Sequence, residues 1–118
     1  MKLLLLGGNG QVGRELRRSL APLGELVVAT RDGGDADVVA DLDMPESLVA
    51  PIARIAPDVV VNAAAYTAVD KAETDAAAAF RINADAVAAI ACASAACGAL
   101  LVHYSTDYVF DGGAMQPY

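Results

Sequence analysis

The chain has 118 residues and a mass of 12.0 kDa, one domain's worth, and 56% of it is apolar, enough for a core of its own. Acidic side chains outnumber basic ones 15 to 8, the formal charge is −7 and the pI is near 4.4, so no cationic surface is available to neutralise the phosphates of a nucleic acid. Two cysteines are too few for a disulfide scaffold, no Cys/His spacing suits zinc, and no apolar run reaches the ~18 residues of a membrane span or has the form of a signal peptide; the expectation is a cytoplasmic, soluble acidic domain with neither nucleic-acid nor membrane partners.

KLLLL (2–6) reads as a strand buried on both faces. GGNGQVG (7–13) then holds two overlapping patterns, G-x-G-x-x-G at Gly8, Gly10 and Gly13, and G-x-x-G-x-x-G at Gly7, Gly10 and Gly13. An early glycine permits the tight turn out of the strand. Gly10 lets the backbone approach a pyrophosphate, and Gly13 lets the helix pack closely on the strand. Gln11 and Val12 open that helix, whose N-terminus offers free N–H groups and a positive dipole to phosphates. No Lys followed by Ser or Thr accompanies the glycines, which excludes a P-loop; a plain glycine turn without a ligand is the simpler alternative. Within the helix Val12, Leu16 and Leu20 recur every four residues and Arg14, Arg17 and Arg18 lie elsewhere on the wheel, with an end near Pro22 and Gly24. Glu15 reads as solvated, a metal or subunit contact being the lesser alternative.

ELVVAT (25–30) is the second strand, and its end bears on the choice of cofactor. A carboxylate there suits the ribose 2′-OH of NAD, an arginine the 2′-phosphate of NADP. Thr30 is not acidic and Arg31 follows it, which leans towards NADPH with NADH possible; Asp32 is the alternative acid. Residues 35–41 are ambiguous and hold a short strand at 38–40. Asp41 and Leu42 then offer a carboxylate and an apolar side chain to an adenine, or else an exposed loop acid. A helix over 45–55 has Pro45 in its first turn and Pro57 beyond its end.

The Val-rich segment 58–62 is the third clear strand. Small side chains at Ala63, Ala64 and Ala65 after it allow the backbone to approach a cofactor, or simply allow close packing. Thr67 to Asp70 has the form of a capping box ahead of a long helical region over 69–97. There Phe80, Asn83, Val87, Ile90 and Cys97 share a stripe, so Asn83 is expected to face the sheet and be hydrogen-bonded. Cys92 and Cys97 are too far round the helix to bridge and read as small buried apolar residues. The fourth strand is 99–104. Tyr104 ends it, beside a nicotinamide ribose or in the core, and His103 points to the other face as a structural residue. Strands alternating with helices predict an α/β fold, a doubly wound parallel sheet of Rossmann type with ligands at the C-terminal ends of the strands.

Four segments carry a family resemblance: LLGGNGQVGREL (5–16), VNAAAYTAVDKAE (61–73), INADAV (82–87) and HYSTDYVFDG (103–112). In order and spacing the chain resembles the dTDP-4-dehydrorhamnose reductases of the extended short-chain dehydrogenase/reductase superfamily, least so over 32–46. The resemblance implies reduction by NADPH, or NADH in some members, of the C4 ketone of a dTDP-linked keto-deoxysugar to give dTDP-L-rhamnose. It places Tyr66 and Thr67 with the alanine loop on the cofactor's ribose side. It makes Thr106 the catalytic hydroxyl, with Asp107 beside it at the substrate, and carries a possible homodimer and possible magnesium for the longer protein. The family's catalytic Tyr and Lys lie in Y-x-x-x-K. The only lysines here are Lys2 and Lys71, and neither follows a Tyr by four residues. The expectation is therefore that 1–118 is a truncated unit, the cofactor-binding portion of a longer reductase. It would lack the substrate domain, would not be competent alone, and would have an open apolar sheet edge prone to association. A non-catalytic regulatory subunit and a nucleotide-sugar epimerase are the competing readings.

Overall fold

The structure is a computed structural model that describes residues 1–105 and 111–117. Its elements follow the expected alternation: β1 (Lys2–Leu6), α1 (Gln11–Leu20), β2 (Glu25–Thr30), β3 (Val38–Val39), α2 (Val49–Ile55), β4 (Val59–Asn62), α3 (Val69–Ala72), α4 (Ala76–Phe80), α5 (Ala86–Ala96) and β5 (Leu100–His103). All strand pairs are parallel, in the spatial order β3-β2-β1-β4-β5. The winding direction reverses at β1, so the predicted doubly wound parallel sheet is what the chain forms. The reversal leaves a crevice at the C-terminal ends of β1 and β4.

Leu3, Leu4, Leu5 and Leu6 are each at most 2% exposed, as a central strand covered on both faces requires. Leu4 and Leu6 join Val60, Leu48, Ile52, Ala86 and Ile90 in one core beneath α2 and α5. Leu3 and Leu5 alternate to the face on which α1 packs. On α1 the buried residue is Gly13, whereas Val12 is exposed and Leu16 and Leu20 are only half-covered; the helix meets the sheet backbone-first rather than through the expected leucine stripe. Among the described residues β3 and β5 are the sheet's edge strands, and on β5 Leu100 and Val102 are exposed.

The helical segments differ most from expectation. A 3-10 turn, Pro45–Leu48, precedes α2, with Pro45 in its first turn, where a missing amide donor costs nothing. Region 69–97 is interrupted at Glu73–Thr74–Asp75, and a π-helical turn, Arg81–Asp85, joins α4 to α5. The extra residue in that turn shifts the phase of the apolar face. Ala78, Ala86, Ile90, Ala93 and Ser94 are buried, while Phe80 is 69% exposed and Asn83 is exposed. Cys92 is likewise exposed rather than buried; it and the half-buried Cys97 are free thiols. Contrary to the expectation that no segment approaches a membrane span, Ala76–Ala96 is long and apolar enough by length and composition, with mean hydropathy 1.4. Of that window 22% is buried, and its buried residues Ala86, Ile90 and Ala93 join the core against the sheet.

Ser94 is 1% exposed and its hydroxyl has no hydrogen-bond partner among the described residues. A desolvated, unpaired hydroxyl costs about 1–3 kcal/mol, and alanine is the better helix former. Ser94→Ala is therefore expected to stabilise the chain by about 1 kcal/mol or more, read from the midpoint of urea unfolding.

Candidate functional site

A cleft of about 580 Å³ opens at the C-terminal ends of β1, β2 and β4. Its floor is the glycine turn. Gly7 has φ +78°, and both Gly7 and Gly8 donate to the Ala29 carbonyl, at 3.0 and 3.3 Å. A Cβ on Gly7 would lie 2.7 Å from the Ala64 nitrogen, and one on Gly13 would run into the Gly7 carbonyl oxygen. These two glycines are demanded by backbone-on-backbone packing. Gly10 is different. Its φ is −76°, and a Cβ there would meet only the Gly7 oxygen, at 3.6 Å. Nothing inside the protein calls for glycine at that position, which borders the cleft. The first turn of α1 has neither a side-chain cap nor an acid, so its N–H groups remain available. From behind, Arg17 holds the turn by donating from Nε to the Gly8 carbonyl at 2.7 Å and from Nη2 to the Asp35 carbonyl at 2.8 Å. Position on the helical wheel had grouped Arg17 with the solvated arginines.

One wall follows β2 and β3. Arg31 stands on it with its side chain 75% exposed, its Nε 3.7 Å from Asp41 Oδ1, and Leu42 is buried alongside. Thr30 does not reach the cleft. It is fully buried, and its hydroxyl accepts from the Gly33 amide and donates to the Gly34 carbonyl. Asp32 is also turned away, accepting from the Gly34 amide at 2.9 Å. Asp43 lines the cleft and is held by Arg81 Nε at 2.7 Å; that hydrogen bond pushes the Arg81 guanidinium above its ordinary pKa.

The opposite wall is the loop after β4, where Ala63, Ala64, Ala65, Tyr66 and Thr67 all line the cleft. Two asparagines hold it. Asn62, 1% exposed, accepts from the Ala64 amide at 3.1 Å. Asn83 does not face the sheet as expected; its side chain accepts from the Tyr66 amide at 2.8 Å and donates to the Tyr66 carbonyl at 3.1 Å. Thr67 forms no capping box, since α3 starts after Ala68 without a side-chain cap. The Tyr66 hydroxyl is buried with no hydrogen-bond partner among the described residues. Tyr104 is 48% exposed and off the cleft, tied to β4 only through its amide on the Asn62 carbonyl. Thr106 and Asp107 lie outside the described residues.

Of the residues singled out in the sequence, Gly7, Gly10, Gln11, Val12, Arg31, Asp41, Leu42 and the loop 63–67 meet around this cleft. Gly13, Thr30 and Tyr104 do not line it. Asn9, Ala40, Asp43 and Ile82 line it and were missed. Asn9 had a signal in its place inside the glycine turn; Asp43 and Ile82 arrive only through folding. Among the described residues no group of three or more His, Cys, Asp or Glu side chains is placed to hold a metal ion.

A parallel sheet that reverses at β1, with a glycine turn feeding an uncapped helix at that reversal, defines the Rossmann-type α/β class. Within that class, the chain belongs to the RmlD substrate binding domain family, whose family model matches residues 1–118. A curated relative, the dTDP-4-dehydrorhamnose reductase of Burkholderia thailandensis, is 56% identical over the whole chain, which covers 38% of that protein. A dTDP-4-dehydrorhamnose reductase crystal structure from Clostridium acetobutylicum superposes with TM-score 0.86 at 38% identity, over all of this chain and 40% of that one. The Bacillus anthracis enzyme, solved in complex with NADP, superposes with TM-score 0.82 at 32% identity, over 97% of this chain and 39% of that one. The chain thus spans about two fifths of the length of these relatives.

Proposed function

We propose that the chain is the NADPH-binding portion of a reductase acting on a dTDP-linked 4-keto-6-deoxysugar, with dTDP-4-dehydro-L-rhamnose as substrate and dTDP-L-rhamnose as product. The observation that carries this is Gly10, a glycine that the protein's own packing does not require, set between an uncapped helix N-terminus and an open cleft. A backbone kept bare on the ligand side suits a pyrophosphate. The Tyr66 hydroxyl on the same cleft, without a partner among the described residues, supplies a further polar group for a ligand.

In this reading the amides of Gln11 and Val12 hold the pyrophosphate, Arg31 holds the 2′-phosphate and Leu42 packs against the adenine, with Asp41 restraining Arg31. The alanine loop and Tyr66 hold the ribose on the nicotinamide side. The chemistry that the bound cofactor supplies is hydride donation to a ketone carbon. Thr106, with Asp107 beside it, donates a hydrogen bond to the ketone oxygen as negative charge develops there. NADH is the weaker alternative cofactor. A cytoplasmic location follows the reading of the composition, and a dimeric longer protein follows the family resemblance.

The test is calorimetric titration of the chain with NADPH and NADH, followed by assay of the full-length protein for NADPH oxidation on addition of dTDP-4-dehydro-L-rhamnose. Saturable NADPH binding and turnover are expected. Absence of binding by either cofactor overturns the reading.

A further inference from the structure

The reading above leaves one polar pair unused. At the ends of the adjacent strands β4 and β5, the Asn62 Nδ2 lies 3.1 Å from the His103 Nδ1. The roles of these atoms follow from a third group. The Ala64 amide is a donor only, and it bonds the Asn62 side-chain oxygen at 3.1 Å. That contact fixes the amide's orientation, oxygen towards Ala64 and nitrogen towards His103. An NH₂ group can only donate, so His103 Nδ1 must accept. The ring is then neutral, with its proton on Nε2.

From this geometry we infer that His103 and Asn62 form a proton-sensitive clamp on the cofactor-facing loop, in which a neutral His103 keeps Ala64 in place and a protonated His103 releases it. The inference rests on the cofactor reading of the cleft. Protonation puts N–H on Nδ1, and two donors then face each other. Asn62 must either turn over, abandoning the Ala64 amide, or leave its own NH₂ unpaired at a site 1% exposed. The cost of an unpaired buried NH₂ favours turning over, which frees the wall at Ala63, Ala64 and Ala65 and with it the close approach of Ala64 to Gly7. His103 is exposed, so protons reach it, and histidine is the side chain that ordinarily changes charge near neutral pH. Among the described residues the elements packed against β5 are β4 and α5. β4 has no ionisable side chain and α5 has only Cys92, which is exposed, so no charge from either element opposes the change.

The test uses the full chain and NADP⁺, which survives acid. Between about pH 8 and about pH 5.5, affinity is expected to fall about three- to tenfold, the size of one neutral hydrogen bond. His103→Gln presents a carbonyl acceptor that does not titrate, and comparison with it cancels the titration of the nucleotide's own phosphates. Its affinity is expected to lose that part of the pH dependence. In Asn62→Asp the protonated ring becomes a donor to a carboxylate, so the loop is expected to hold better at low pH, reversing the sign. Independently of any variant, nitrogen-15 NMR of the unsubstituted protein at neutral pH is expected to show the Nε2–H tautomer at His103. Equal pH dependence in the wild type and His103→Gln, or an Nδ1–H tautomer, overturns the clamp. If NADP⁺ fails to bind even at about pH 8, the cofactor reading falls, and the tautomer alone decides whether the hydrogen-bond arrangement stands.

Discussion

Gly13→Ala is expected to destabilise the chain by about 3 kcal/mol, and Gly10→Ala to change its stability by less than about 1 kcal/mol while weakening NADPH binding at least about tenfold. The two positions lie three residues apart and differ in what surrounds them. A methyl group on Gly13 meets the Gly7 carbonyl oxygen and the Gly8 Cα, both backbone, in a turn held to Ala29 by two hydrogen bonds. No side chain can rotate to make room, so α1 must lift from β1. A methyl group on Gly10 meets nothing closer than 3.6 Å within the protein, and the backbone there is extended, which alanine adopts freely. Its only consequence lies on the cleft side, where it fills the space proposed for the pyrophosphate. Urea unfolding and calorimetric titration of both variants separate the effects. Unchanged NADPH affinity in Gly10→Ala would remove the main support for a bound pyrophosphate.

The second large effect concerns cofactor choice. Arg31→Ala is expected to lower NADPH affinity about ten- to a hundredfold, the range of a charge-assisted hydrogen bond, while leaving NADH affinity nearly unchanged. Among the described residues Arg31 is the single cation lining the cleft; Asp41 and Asp43 carry the opposite charge, and Arg81 answers Asp43. The 3.7 Å separation from Asp41 and the 75% exposure of its side chain leave the guanidinium free to meet a phosphate. The wild-type preference for NADPH is also expected to shrink as salt rises, because the charge is solvent-exposed. Equal losses for the two cofactors would assign Arg31 to some role other than the 2′-phosphate.

Much of the fold was legible along the chain because strand and turn signals are local. KLLLL and ELVVAT matched their strands to the residue, since a run of apolar side chains with a glycine at one end leaves a buried strand few alternatives. The long helix was less legible. Its apolar period was read at a constant 3.6 residues per turn, and the π turn at Arg81–Asp85 breaks that constancy, turning Phe80 outward. In the cleft, the glycines and the alanine loop were visible as motifs. The side chains that hold those motifs were not. Arg17 looked solvated by its place on the helix, Asn83 looked sheet-facing, and Asn62 looked like the last residue of a strand.

By itself the sequence determined a parallel α/β sheet, a glycine turn entering a helix, and membership in a recognisable family, because each depends on residues close together in the chain. Only the tertiary structure decided which glycine answers to the protein and which to a ligand, and which side chains lock the cleft's walls. Asn83 is 17 residues from Tyr66, Arg81 is 38 from Asp43, and Asn62 is 41 from His103. Contacts at such separations carry no local periodicity; they exist only once the strands have paired and brought their ends to one edge of the sheet.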